Sequence, residues 1–208
     1  MKERPILFSG PMVRAILEGR KTVTRRIAKP VKHPDLGNIY APGALVLEHE
    51  PQHVVDRACP YGQPGDRLWV RETWTDVNMC GAPALAYRAD EDIRDLMEEP
   101  GFLDDRGAFN YDDPRVKPYP FACWYAELDQ ARWRPSIHMP RWASRILLEI
   151  TSVRVERLQD ISEEQAIAEG PPGLAFPAPP GSHWVTEDGR RRAFMRLWDD
   201  VNGAGAWD

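Results

Sequence analysis

The sequence predicts a mixed α/β fold of the α+β kind, in which short strands are flanked by short helices and interrupted by an acidic insertion. Three observations predict it. Period-two alternation of apolar residues recurs at Arg67 to Trp74 and at Ile146 to Leu158. Two short stretches carry paired helix start and stop signals, Pro11 with Gly19 and Ser162 with Gly170. Between the strand patterns, residues 89–113 hold ten Asp/Glu against Arg94 and Arg106, a net charge of -8 in an irregular stretch.

The bulk properties bound the class. At 208 residues the chain is long enough for one domain with an elaboration, and a globule of that size buries roughly 70% of its unfolded surface. Cys59, Cys80 and Cys123 are an odd number without CxxC spacing, which suggests neither a disulfide framework nor a cysteine-rich zinc site. A reducing, cytoplasmic setting follows as the expectation, with no signal peptide and no membrane span. The overall charge of -5 argues against a general DNA-coating protein. Residues 1–32 nonetheless carry nine Lys/Arg against Glu3 and Glu18, a local +7 that suits phosphate contact.

Taken in order, residues 5–9 read as a strand entering a first helix, which Pro11 opens and Gly19 ends, with Val13, Ile16 and Leu17 on one face. Lys29 to Gly43 reads as loop, and Ala44 to Glu48 as a strand. His49, His53 and Cys59 lie close in sequence, but their spacing lacks a fourth ligand and no metal is expected. After the Pro64-Gly65-Asp66 turn, the alternation of Arg67 to Trp74 places Leu68, Val70 and Glu72 on one face, making Glu72 a candidate pocket carboxylate. Leu85 to Tyr87 suits a strand, and Asp90 to Glu99 an acidic helix with Ile93, Leu96 and Met97 on one side. Residues 76–120 are read as an insertion in a single domain spanning 1–208, and Phe121 to Leu128 as a return to strand.

Trp133, Arg134, His138, Arg141 and Trp142 interleave aromatics with cations, the pattern of a base-stacking and phosphate-contacting surface. Core tryptophans with snorkelling arginines give the same pattern. Ile146 to Leu158 is the clearest strand, with a bulge expected at Thr151-Ser152. Ser162 and Gln165 form a capping box, and Gly170 with Pro171 stops that helix. Glu169 then sits at a helix C-terminus, where the dipole opposes a carboxylate unless a cation is near. Residues 171–181 form a Pro-rich loop able to act as a lid, and a last helix from about Arg190 presents Ala193, Phe194, Leu197, Trp198 and Val201 on one face.

The densest chemistry is Gly19-Arg20-Lys21-Thr22-Val23-Thr24-Arg25-Arg26, four cations and two hydroxyls in seven residues past the first helix. Gly19, Lys21 and Arg26 fit a Gly-x-Lys-x-x-x-x-Arg signature, and the string resembles the matching segment of the small bacterial N(4)-acetylcytidine amidohydrolases in the ASCH domain family. The PGD turn followed by LWVRETW, and the Trp133 to Arg145 stretch, are similar to the longer, phage-type members. The resemblance implies a PUA-like β-barrel flanked by short helices, an RNA or modified-nucleoside partner, and no cofactor. It places Lys21, Thr24 and Glu169 on a catalytic trio of base, nucleophile and acid, with Arg26 on substrate or oxyanion, and Gly19, Arg20 and Arg25 in the same binding segment. A non-catalytic RNA-binding module, or a ribonuclease using Lys21, Arg26 and His138, are the alternatives. In a straight strand Lys21 and Thr24 would face opposite ways, so convergence requires Lys21 to lie in the turn after Gly19. The longer family members usually continue into a final strand beyond this chain's last helix.

Overall fold

The computed structural model describes residues 1–47, 50–171 and 189–207. In chain order the elements are β1 (Glu3–Leu7), α1 (Gly10–Leu17), β2 (Val31–Lys32), β3 (Ile39–Tyr40), α2 (Pro42–Leu47), α3 (Gln52–Ala58), β4 (Arg67–Arg71), β5 (Trp74–Met79), β6 (Ala82–Tyr87), β7 (Ile93–Asp95), β8 (Leu147–Glu149), α4 (Glu163–Ala168) and α5 (Gly189–Asn202). The class is mixed α/β, as expected. The described strands form three separate sheets, in orders β1-β4-β8, β2-β3 and β5-β6-β7, and no closed barrel is found among the described residues.

Two compact units divide the chain. The first comprises residues 1–4, 11–68 and 148–208, and the second residues 5–10 and 69–147. The second is built on the hairpin of β5 and β6, antiparallel from Trp74 opposite Tyr87 to Met79 opposite Ala82, with β7 added along β6. One face of that sheet gives Trp74, Leu85 and Tyr87 to a cluster with Leu96, Phe102, Phe109, Val116, Phe121 and Met139. The other gives Val77, Ala84 and Ala86 to a smaller one. In the first unit, α4 and α5 pack Ile161, Ala166, Phe194 and Trp198 together, and α3 packs Val54 and Ala58 against Leu45. No helix among the described residues is long and apolar enough to cross a membrane.

The end signals of α1 and α4 hold, although α1 buries Met12, Val13 and Ala15 and leaves Leu17 exposed in place of a Val13, Ile16 and Leu17 face. Gly19, at φ +71°, ends α1 in a Schellman motif, its N–H donating to Ile16 O at 3.0 Å while that of Arg20 donates to Ala15 O at 2.8 Å. The capping box of Ser162 and Gln165 opens α4. On α5, Phe194 and Trp198 are buried and Leu197 packs beside them, whereas Val201 stays exposed.

Several strand expectations do not hold. Ala44 to Leu47 belongs to α2, because Pro42 opens a helical turn whose Leu45 is buried against Val54. The alternating run from Arg67 breaks at Glu72 and Thr73, and β4 is buried on both faces at Leu68, Trp69 and Val70. Of Ile146 to Leu158 only Leu147–Glu149 is strand; beyond it Ile150 still exchanges backbone bonds with Gly65 and Asp66, after which the chain is irregular. Phe121 to Leu128 holds a 3-10 turn at Tyr125–Glu127, with Phe121 at φ +48°. Asp90 to Glu99 is not helical: Ile93–Asp95 pairs with β6, Asp95 Oδ1 accepts the Met97 N–H, and Asp90 and Asp92 are drawn to Arg145. The Pro-rich loop expected at 171–181 lies, beyond Pro171, outside the described residues, as do Glu48 and His49.

Gly170 sits where two other segments approach closely. A Cβ there would stand 2.9 Å from the Cβ of both Ala15 and Lys21, at φ +63°, whereas one on Gly65, at φ +89°, would meet nothing within 4 Å. Gly65→Ala should therefore cost about 1–2 kcal/mol from left-handed strain alone. Gly170→Ala should cost a further 1–3 kcal/mol or so from overpacking. Urea denaturation of the two variants measures the difference.

Candidate functional site

The site forms where the segment after α1 meets the end of α4, both within the first unit. Residues 20–30 are irregular, so strand alternation does not apply to them, and the Lys21 N–H joins that of Arg20 on Ala15 O at 2.9 Å. Lys21 thus lies in the turn after Gly19, as convergence requires. At the other end, Gly170 donates to Ile167 O at 2.8 Å, but Pro171 has no N–H to give the second bond that a Schellman motif uses. Donors from the neighbouring segment close the helix instead. Thr22 and Val23 N–H both reach Ala168 O, at 2.8 and 3.0 Å, and Lys21 Nζ reaches Glu169 O at 2.9 Å.

The Lys21 ammonium is buried, its side chain 3% exposed, and its three protons go to Glu169 Oε2 at 2.8 Å, Val23 O at 2.8 Å and Glu169 O. Glu169, 148 residues away and equally buried, also accepts from Arg25 Nη1 on Oε1 at 3.1 Å. The unfavourable place of this carboxylate at a helix C-terminus is answered by two cations. Arg25 Nη2 in turn donates to Glu156 Oε2 at 3.0 Å, and Arg154 stands 3.4 Å from the other oxygen of Glu156. Burial lowers the Lys21 ammonium from the usual lysine range; Glu169 pulls it back up, and Arg26 and Arg25 push it further down. An amine that gives up its proton more readily is a usable base.

Thr24 is half-buried, and its hydroxyl oxygen accepts from Arg26 Nη1 at 2.7 Å. Among the described residues neither Lys21 nor Glu169 bonds that hydroxyl, so two of the three predicted groups meet and the third stands with Arg26. A guanidinium beside a hydroxyl favours negative charge on its oxygen, as attack or an oxyanion requires. Arg20 pairs with Glu18 at 2.6 Å, and Gly19 serves the helix end.

The other predicted residues belong to the second unit. Glu72, 1% exposed, takes a two-pronged bond from Arg145, Nε to Oε1 at 3.0 Å and Nη2 to Oε2 at 2.9 Å. Arg145 also donates to Asp90 and Asp92 and lies 4.1 Å from the Tyr87 ring centroid. Burial pushes Glu72 above the ordinary carboxylate range despite Arg145 and pushes the Tyr87 phenol up to about 12. Trp142 packs edge-on to Trp74, Tyr119 and Phe102, and Trp133 packs against the smaller cluster. Arg134 is bound twice to Asp76 Oδ1, at 3.2 and 2.7 Å. Of the two meanings of this Trp/Arg pattern, packing with attendant arginines is the one these contacts match. His138 and Arg141 are exposed. Of the zinc-like trio, His53 Nε2 faces Asp35 Oδ2 at 3.2 Å and Cys59 caps α3; His49 is outside the described residues.

Sequence reasoning missed Arg145, Asp76 and Glu156 as partners. Each is an ordinary charged residue whose use depends on a partner far away in the chain. No family model matches the chain, and no curated protein and no solved structure matches it.

Removing one member of the Lys21–Glu169 pair should cost about 3–5 kcal/mol where a bare charge stays buried, and replacing both with apolar groups should recover most of that. Glu169→Leu should be worse than Lys21→Met, because it takes the carboxylate from both Lys21 and Arg25, whereas Lys21→Met leaves Glu169 its bond from Arg25. A double-mutant cycle by chemical denaturation tests both statements. Between the lowered folded midpoint of Lys21 and its unfolded value of 10.5, the unfolded chain holds the proton and the folded chain does not. Stability therefore rises with pH across that window, and Lys21→Met should abolish the rise. In the second unit, Arg145→Met should cost about 3–5 kcal/mol at neutral pH by stranding Glu72. That loss should shrink on acidification as the already raised Glu72 carboxyl takes up a proton, read as converging melting temperatures.

Proposed function

We propose that this chain is a PUA-like ASCH protein that recognises RNA or a modified nucleoside and removes the acyl group from an N(4)-acylated cytidine. The observation that carries the reading is the 2.8 Å contact of Lys21 Nζ with Glu169 Oε2, buried and formed across 148 residues at the two positions the resemblance marks as base and acid. Thr24 Oγ1 attacks the acyl carbon and the neutral Lys21 amine takes its proton. Arg26, already 2.7 Å from that hydroxyl, stabilises the negative oxygen of the tetrahedral intermediate. Protonated Glu169 delivers a proton to N4 of the departing cytidine, and water then hydrolyses the threonyl ester. Base and acid are the two ends of one hydrogen bond, so the proton that Lys21 must lose has an acceptor beside it.

A second reading, a non-catalytic RNA-binding module, is favoured by the commitment of all three Lys21 donors to acceptors within the protein, with Lys29 and Lys32 exposed nearby in sequence. Turnover of N(4)-acetylcytidine separates the two. Lys21→Ala and Glu169→Ala should each lower the rate by about 100-fold or more. Because those variants also disturb folding, Thr24→Ala, which leaves the ion pair in place, should lose turnover at an unchanged melting temperature. Equal rates in wild type and all three variants would remove the hydrolase and leave the binding module.

A further inference from the structure

The Lys21–Glu169 pair is the inner end of a run of alternating charge. From inside to outside it reads Lys21, Glu169, Arg25, Glu156, Arg154, with side-chain exposures of 3, 4, 14, 31 and 57%. Each consecutive contact is 3.4 Å or shorter. Arg25 is the middle member. One arm of its fork holds the buried Glu169 and the other the more exposed Glu156, while its Cζ lies 5.9 Å from the centroid of the Phe194 ring on α5.

We propose that Arg25 is a positioning residue for the Lys21–Glu169 pair, and that by dividing its guanidinium between Glu169 and Glu156 it sets how firmly the pair holds its proton. This rests on the reading of that pair as base and acid. The physical ground is competition for one carboxylate. Glu169 offers Oε2 to Lys21 and Oε1 to Arg25, so charge that the carboxylate commits to the guanidinium is not available to the ammonium. Glu156 works in the opposite sense, since whatever it draws from Arg25 returns Glu169 to Lys21. Among the described residues, Arg25 and Arg26 face the pair from its own segment, with Glu156 one contact beyond Arg25 and Arg154 two. From the helices, α1 presents Ala15 and α5 presents Phe194, neither of which titrates. Arg25 and Arg26 both act to lower Lys21, and Arg25 bonds Glu169 as well.

The test reads Lys21 itself rather than turnover. The chain has five lysines, so the Cε resonance of Lys21 in 13C-lysine-labelled protein is assignable by its loss in Lys21→Arg. In Arg25→Gln the alkaline midpoint of that resonance should rise by about one pH unit. Arg25→Lys should restore most of the wild-type value, and Glu156→Gln should move the midpoint the other way, downward. A purely structural role predicts something else, since loosening the site with either Gln variant would raise the midpoint towards the solvent value. An unmoved midpoint in Arg25→Gln, or a rise in both Gln variants, would overturn the assignment. Opposite shifts in a protein that turns over no acylated cytidine would sink the hydrolase reading alone; turnover without those shifts would sink this one alone.

Discussion

A single ammonium group with nowhere wet to go sets most of the first unit. Lys21 is shut from solvent, and a buried charge persists only where each of its protons finds an acceptor. Those acceptors are two carbonyls and a carboxylate, and the last sits at the end of a six-residue helix too short to hold its own C-terminus in order. Each side supplies what the other lacks. The helix end brings negative potential and open carbonyls, and the segment after α1 brings Nζ and two backbone N–H groups. Gly170 follows from the same constraint, because the approach of Lys21 leaves no room for a Cβ there. So does the turn at Gly19, which sends the chain back across α4 instead of onward as helix.

The second unit meets the same electrostatic problem with the stoichiometry reversed. Arg145 is one cation among three carboxylates, whereas Glu169 is one carboxylate between two cations. The difference matters for chemistry. Arginine does not release its proton in a protein, and against the effect of burial Glu72 and Asp90 make Arg145 hold its proton more tightly still. That network can brace a fold but cannot exchange a proton through its cation. Lysine can, and burial moves Lys21 in the direction that makes exchange easier. Of these two networks, the one in the first unit has the cation that can exchange a proton.

What the sequence made legible was local. The ends of α1 and the two ends of α4 rest on caps and glycines whose effect is spent within a few residues, and each lies where those signals place it. Strands depend on distant partners. Alternation over Ile146 to Leu158 describes side chains suited to a sheet, but only Leu147–Glu149 finds a neighbouring strand. The acidic stretch fails as a helix for an electrostatic reason: two of its carboxylates, Asp90 and Asp92, are partners of an arginine more than fifty residues on. Trp142 and Arg134 show the same limit. Composition offers stacking platforms and phosphate forks, and only the positions of Asp76, Trp74 and Tyr119 turn them to internal use. Lys21 and Glu169 were legible because a motif marked one and an ill-placed helix-end charge marked the other. Glu156, whose role exists only through Arg25, had no such mark.

The position of Thr24 is then the informative asymmetry of the site. Lys21 and Glu169 are locked by backbone as well as by charge, since the ammonium also holds two carbonyls and the carboxylate belongs to a helix cap. Among the described residues Thr24 is tied through its hydroxyl to Arg26, on an irregular segment. Bringing that hydroxyl to the amine requires torsional change over the two residues between them, Thr22 and Val23, whose N–H groups bond Ala168 O and of which Val23 also accepts from Lys21 Nζ. The Lys21–Glu169 contact itself makes no use of those two residues. The reverse motion, carrying Lys21 out to Thr24, would strand Glu169 with Arg25 and open the end of α4. On the proposed chemistry, the lower-cost path is thus one in which Lys21 and Glu169 keep their contact and Thr24, with Arg26 still bonded to its oxygen, comes to them.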